Sequence, residues 1–258
     1  VLDPALLKRA QQVALRLERS LNPPLSQKLH PFWLHSVAVG QLSADLLNTL
    51  LSSPDLTLYF EASKEGGGSL RENCSWAKAQ GALLRHFRLF PQHECLSLNV
   101  HSETIDRALC RVLGTPTTVV RLSVIVDNQI LLSVRSPTKR INPGRYDNLA
   151  AGMVKHEETP RIALEREAWE EAGIKLGKTE HGAEKLFRGF RSHRPLPEGL
   201  LSESTELWRL SERITPHIND GEVQRFEWVS VERFLDLAET ELIVPEASLA
   251  ILLSLLSA

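Results

Sequence analysis

Apolar positions recur at helical spacing from the start of the chain. Leu6, Leu7, Ala10, Val13, Ala14 and Leu17 share one side of a helix that Asp3-Pro4 opens and Asn22-Pro23-Pro24 breaks. The pattern then predicts a strand over Phe32 to Val39, a short helix over Ser43 to Leu51 and a strand over Leu56 to Ala62. Gly66-Gly67-Gly68 is a loop, and helices are expected over Ser69 to Phe87 and over Ser102 to Leu113, the second stopped by Gly114. After Gly114-Thr115-Pro116 the pattern alternates. Thr117 to Val126 is β-branched, Asp127-Asn128 turns and Ile130 to Val134 returns, which predicts a hairpin. Asn142-Pro143-Gly144 marks another turn. Strands follow near Glu184 to Phe190, Glu206 to Ser211 and Gln224 to Val229, and helices over Val231 to Ala238 and Glu246 to Leu256. Mixed strands flanked by helices imply an α/β/α sandwich over residues 115–258. A smaller α+β domain is expected over residues 1–114, with the boundary near residues 113–116.

Composition narrows the classes. The 258 residues are 42% hydrophobic and 24% charged, as in a globular protein that buries a core. A formal net charge of −2 gives no electrostatic case for nucleic acid. Cys74, Cys95 and Cys110 are odd in number and lack C-x-x-C spacing, which argues against a disulfide framework or zinc site and fits a reducing cytoplasm. No apolar run reaches the length of a membrane span, and no signal-peptide pattern opens the chain.

The densest chemistry lies between Gly152 and Ile174, GMVKHEETPRIALEREAWEEAGI. Thr159-Pro160 reads as N-cap and first helical position, and Gly173 as the stop. At about 100° per residue, Glu167, Glu170 and Glu171 fall in one stripe, and Ile162, Trp169 and Ala172 on the opposite side, expected to face a core. Three carboxylates at this spacing repel one another. A hard divalent cation relieves the repulsion, and Mg²⁺, which takes oxygen ligands, waters and substrate phosphates, is the expected cofactor, with Mn²⁺ as a substitute. Such a cation neutralises a diphosphate and lowers the pKa of an attacking water. Arg166 is expected to hold a glutamate of the group through a bidentate ion pair. The plainer reading, a solvated acidic helix face, does not account for the glycine loop, Glu158, Arg166 and both caps in register.

The segment resembles the signature of the Nudix hydrolases, G-x5-E-x7-R-E-U-x-E-E-x-G-U with U apolar. Gly152, Glu158, Arg166, Glu167, Glu170, Glu171 and Gly173 match its literal positions. At about one chance in twenty per position, an accidental match is on the order of one in a billion per window. The resemblance implies the Nudix fold and an enzyme that cleaves a diphosphate linkage. Glu167, Glu170 and Glu171 would bind metal, assisted by Glu158 and the Gly152 carbonyl.

Further residues could complete a site. In Asp220-Gly221-Glu222-Val223, a segment that faces the site in many Nudix proteins, Glu222 is a candidate metal ligand or general base, or an exposed turn acid. Arg135, Lys139 and Arg140 stand where cations could hold phosphates, or are solvated loop charge. Tyr146 and Trp208 could stack on a substrate ring, or pack in the core.

Arg135-Ser136, Lys139, Asn142-Pro143-Gly144 and Tyr146-Asp147-Asn148-Leu149 are also similar to a thiamine-pyrophosphokinase-related Nudix subfamily with an extra N-terminal domain, whose opening hairpin FWLHSVAVGQL at Phe32 to Leu42 resembles. That likeness implies thiamine diphosphate, or its oxidised analogues, cleaved to the monophosphate. The chain departs from it at Leu84-Arg85-His86-Phe87 and at Leu122 to Val126, and carries Met153 and Glu157 where glycines are usual. A positive φ is costly for glutamate, so a reshaped loop is expected there. The alternatives are a nucleoside diphosphate derivative such as ADP-ribose or a dinucleotide, and a ligand-binding or regulatory module. The expected partner is a small-molecule diphosphate, with no nucleic acid and no membrane, and the N-terminal domain is expected to cover the site or form a homodimer.

Overall fold

The computed structural model describes residues 2–92, 94–98, 100, 102–177 and 182–257. The first helix, α1 (Pro4–Leu21), starts where the Asp3 side chain accepts a hydrogen bond from the Ala5 N–H, with Pro4 in its first turn. It is followed by β1 (His30–Leu34), β2 (Val37–Leu42), α2 (Ala44–Ser52), β3 (Phe60–Ala62) and β4 (Gly68–Leu70). Then come α3 (Trp76–His86), β5 (Cys95–Ser97), β6 (Thr104–Asp106) and α4 (Arg107–Cys110). A sheet in the order β2-β1-β4-β3 packs its inner face with α2 and α3 around Phe32, Phe60, Trp76 and Leu83.

Several expectations for this half are corrected. The strand expected over Phe32 to Val39 is a hairpin, because His35 and Ser36 both take positive φ, 49° and 68°. Such a pair matches the right-handed twist of flanking strands, but neither residue type announces it. The helix expected from Ser69 begins at Trp76, capped by the Ser75 hydroxyl, after Asn73 has reversed the chain at φ 65°. Of the helix expected over Ser102 to Leu113, only α4 is α-helical and Thr104–Asp106 is a strand.

The second half runs β7 (Thr117–Val126), β8 (Gln129–Arg135), β9 (Tyr146–Asp147), β10 (Ala150–Met153), α5 (Pro160–Ala172) and β11 (Glu184–Lys185). It continues with β12 (Phe190–Leu196), β13 (Gly199–Leu210), β14 (Val223–Ser230), α6 (Val231–Glu239) and α7 (Pro245–Leu256). The sheet order is β11-β13-β7-β8-β14, with β10 added to β7, β9 to β8 and β12 to β13, and the β13–β7 pair is parallel. Alternation along β7 sends Val120, Leu122 and Val124 to the α5 side. The opposite face is covered by α6 and α7, which makes the expected mixed sandwich. The strand expected over Glu184 to Phe190 is only the two-residue β11, with β12 starting at Phe190; the strand expected near Glu206 is the longer β13, which pairs with β12 as a hairpin through Leu196↔Gly199. No helix among the described residues is long and apolar enough to cross a membrane.

Helix α1 does not join the core of the half that it precedes. Its buried side, Ala10, Val13, Ala14, Leu17 and Leu21, shares a cluster with Phe234, Leu235, Leu249 and Leu252. Arg9 ties it down, reaching Asp236 at 2.7 Å and Glu239 at 2.6 Å. The reason lies in α7, PEASLAILLSLL, which is apolar on every side. A helix of that kind needs cover on both flanks. The sheet supplies one and α1 the other, so a unit spanning residues 1–114 would sever α1 from the residues it packs on.

Candidate active site

Strand β10 and helix α5 form the floor and wall of the site. β10 pairs antiparallel with β7, Gly152 opposite Val120. The Thr159 hydroxyl accepts from the Ile162 N–H at 3.3 Å, Pro160 fills the first turn, and Gly173 ends the helix at φ 63°. Gly173 and Ile174 donate their N–H groups to Trp169 O and Ala168 O, closing the last turn. A Cβ at Gly152 would overlap the Glu167 carboxylate, so only glycine lets that side chain cross β10.

The orientation of α5 corrects the sequence expectation. Ile162 and Trp169 do not face the core; they are 49% and 43% exposed. The buried residues are Ala163, Leu164, Ala168, Glu171 and Ala172. At about 100° per residue, Glu171 sits in the middle of that arc. The helix therefore packs through small residues and a carboxylate, and Glu171, read from sequence as outward-facing, is only 9% exposed. Glu170, at the edge of the arc, keeps a side chain that is 42% exposed.

Arg166 is the hub. Its Nε and Nη2 donate to the two Glu158 oxygens at 2.6 and 2.9 Å, a bidentate pair. Nη1 donates to Glu167 at 2.6 Å and to Glu170 at 3.1 Å, and Nη2 also donates to Met153 O at 3.1 Å. Burial works against this charge, yet its carboxylate partners hold the guanidinium protonated more firmly than a free one. The Arg166 bonds depress the Glu158 carboxyl. Burial pushes the Glu167 carboxyl up, opposed by the Arg166 charge and, more weakly, by that of Arg107. Glu171, whose Oε2 accepts from the Ala151 N–H at 3.1 Å, stands well above the usual carboxylate range. Burial is the main cause, with Glu167 and Asp147 adding to it.

The donor set is all oxygen and its buried members disfavour their own charge, which is the chemistry a hard cation satisfies. Among the described residues no three His, Cys, Asp or Glu side chains are already gathered at metal-ligand distance. Arg166 now takes oxygens of Glu158, Glu167 and Glu170, so loading a cation requires those carboxylates to share or exchange that partner.

The remaining candidates divide. Glu222 lies within electrostatic reach of Glu171 and is ion-paired with Lys139, while its N–H donates to Asp220 Oδ1 at 2.8 Å. Arg135 is used structurally, bonding Asp147 at 2.7 Å and the Ile141 carbonyl. Arg140 is exposed on the loop after β8. The Tyr146 hydroxyl donates to Glu227 at 3.0 Å. Trp208 does not stand open for stacking: it is 8% exposed under α5, with the Arg161 guanidinium 5.4 Å from its ring centre.

Sequence reasoning missed Asp147 and Arg121. Asp147 accepts from Arg135 and Arg121, the latter at 3.4 Å, and raises the Glu171 carboxyl. The available signal was Arg121, a lone charge inside the β-branched run of β7 that requires a buried partner. Also unforeseen is the hold of the first half on the loop after Gly152. His156 N–H donates to Cys95 O at 2.8 Å, its ring Nδ1 is 2.8 Å from the Ser97 hydroxyl, and Met153 packs on the first-half core.

Residues 116–246, just over half of the chain, match the family model described as NUDIX domain. Solved structures are similar to part of the chain at low identity. DR0079 from Deinococcus radiodurans is 24% identical over 57% of this chain and 88% of its own, with a TM-score of 0.43. The E. coli dihydroneopterin triphosphate pyrophosphohydrolase is 16% identical over 55% of this chain and 96% of its own, TM-score 0.43. A bifunctional NMN adenylyltransferase/ADP ribose pyrophosphatase from Francisella tularensis, solved with AMP and a manganese ion, is 18% identical over 54% of this chain and 41% of its own, TM-score 0.40. No curated protein is similar enough in sequence to count as a match.

Proposed function

Because this chain belongs to the Nudix family of hydrolases, we propose that it cleaves the diphosphate link of a small molecule, with Mg²⁺ as its cation and Mn²⁺ as a substitute. The observation that carries this reading is the buried carboxylate of Glu171 with the part-buried Glu167 beside it, whose side chain crosses β10 at Gly152. Glu167, Glu170 and Glu171, with the Gly152 carbonyl and assistance from Glu158, are the ligands. The cation supplies charge neutralisation at the phosphate oxygens and a more acidic water. Arg166 keeps the carboxylates in register, and Glu222 serves as a further ligand or as the base. Water attacks one phosphorus, a new P–O bond forms, the bridging P–O bond breaks, and two phosphate-terminated products leave.

For substrate, we favour thiamine diphosphate or its oxidised analogues, cleaved to the monophosphate. The support is the run from Arg135 to Leu149 together with the N-terminal hairpin. The contacts of Cys95 and Ser97 with His156 favour an N-terminal domain that covers the site over one that serves only to pair two copies. Cys74, Cys95 and Cys110 are all unpaired, which fits work in a reducing cytoplasm. The test is a screen of thiamine diphosphate, its oxidised analogues, ADP-ribose and dinucleotides, with products quantified with and without Mg²⁺. Preference for the thiamine compounds supports the assignment. A stronger rate on ADP-ribose or a dinucleotide moves the substrate to the nucleotide class, and binding without turnover on any of them would make the chain a ligand-binding module.

A further inference from the structure

Besides Cys95 and Ser97, the first half of the chain meets the edge of the acidic cluster through the carboxylate of Glu94. Glu94, just ahead of β5, accepts from Arg107 Nη1 at 2.6 Å and from Lys155 Nζ at 3.0 Å. Lys155 lies in the loop between Gly152 and Glu158, and its own N–H donates to Glu158 Oε2 at 3.0 Å. Two cations therefore share one anion, and the trio keeps a net positive charge at the edge of a negative cluster. The Arg107 charge is felt at Glu167. The Arg107 side chain is 44% exposed, and among the described residues it is hydrogen-bonded only through Nη1. Two of the three cations expected from sequence to meet phosphate are engaged elsewhere, Arg135 by Asp147 and the Ile141 carbonyl, Lys139 by Glu222, while Arg140 is exposed on the loop after β8.

We propose that Arg107, supplied by the N-terminal half and held by Glu94, binds the diphosphate of the substrate, with Lys155 beside it. The inference rests on the diphosphate-hydrolase reading. Carboxylates and their cation take one side of the diphosphate, and phosphate oxygens turned away from them need donors. A guanidinium fork meets two such oxygens at once. The extra domain then has a chemical role, because it adds a cation on the side of the loop that follows Gly152.

The test uses the full chain. Inorganic pyrophosphate is titrated calorimetrically in the presence of Mg²⁺, Mn²⁺ is titrated alone, and KM and kcat are measured on the best substrate of the screen. Arg107→Ala should weaken pyrophosphate binding and raise KM by about tenfold or more, the worth of a hydrogen bond to a charged group, while Mn²⁺ binding stays as in wild type. Arg107→Lys, which keeps the charge but not the fork, should fall between the two. Unchanged pyrophosphate affinity in Arg107→Ala overturns the proposal. So does a parallel loss of Mn²⁺ affinity, which would make Arg107 a prop for the loop. Should Arg107→Ala fail to fold, Arg107→Lys decides: weaker pyrophosphate with unchanged Mn²⁺ supports the role, and equal affinity contradicts it. A wild-type protein that neither binds nor cleaves any diphosphate removes the hydrolase reading and this proposal together. Failure of the variants alone leaves that reading standing.

Discussion

Glu171 and Arg166 act in opposite senses on folding and on chemistry. Glu171 is a carboxylate whose charge burial disfavours, so the neutral amide of Glu171→Gln should leave the fold as stable as wild type or more so. The same change should lower turnover by about a hundredfold or more, since it removes a group that handles metal or proton. Chemical denaturation and steady-state rates on one preparation check both halves. Arg166 is a part-buried cation, its side chain 18% exposed, on which three carboxylates depend. Arg166→Ala should cost about 3–5 kcal/mol, the scale for removing one partner of a buried ion pair. A loss below roughly 1 kcal/mol in urea unfolding would mean that the pair is effectively surface-like. Glu157 stands where glycine is usual, and it does adopt φ 65°. That strain exceeds glycine's extra unfolded-state entropy, so Glu157→Gly should stabilise the protein by about 0.5–1 kcal/mol in the same urea unfolding, and a loss of stability would contradict it.

At the scale of elements, helix α5 shows what sequence conveys and what it does not. Its ends were legible, since Thr159, Pro160 and Gly173 are local chemistry. Its rotation was not, because a hydrophobic pattern assumes that apolar residues turn inward. Here alanines and a glutamate do so, and Trp169 lies outside against His217, ring centres 6.4 Å apart. Periodicity hid the turn at His35-Ser36 for a related reason, although the resemblance at Phe32 to Leu42 implied a hairpin there: positive φ at such residues is imposed by strand pairing and carries no composition signal. The buried carboxylates give α5 a pH signature. Burial raises Glu167 and Glu171 above their unfolded values. Each favours folding below the unfolded carboxylate pKa and loses that contribution as pH rises through the folded pKa. Glu158 is depressed and runs the other way, its contribution present above the unfolded value and lost as pH falls through the folded one. A cation binds the ionised forms, so the gain in melting temperature from Mg²⁺ should grow as pH rises through the raised pKa of the buried carboxylates. It should grow less in Glu171→Gln. A gain in wild type that stays the same at every pH would count against carboxylate binding.

Among the ties that hold the whole molecule together, two bear on the site and are not announced by the order of elements along the chain. One is α1, whose Val13, Leu17 and Leu21 cover α7. Burying each such side chain contributes about 1.5–3 kcal/mol, a large share of the roughly 5–15 kcal/mol that holds a domain folded. A fragment that begins at Thr117 should consequently aggregate or lose cooperative unfolding, and a well-folded monomeric fragment would show that α1 is dispensable. The other is the loop after Gly152, gripped on one side by Arg166 and on the other by Glu94, Cys95 and Ser97. Both ties join residues far apart in sequence, so no local pattern could reveal them, whereas the acidic box was legible because its chemistry is local. The most direct measurement is product release from the preferred diphosphate by wild type and Glu171→Gln, each with Mg²⁺ and with a chelator. Turnover is expected only in wild type with the cation. Hydrolysis that persisted under chelation, or that survived undiminished in Glu171→Gln, would contradict catalysis by a carboxylate-held cation.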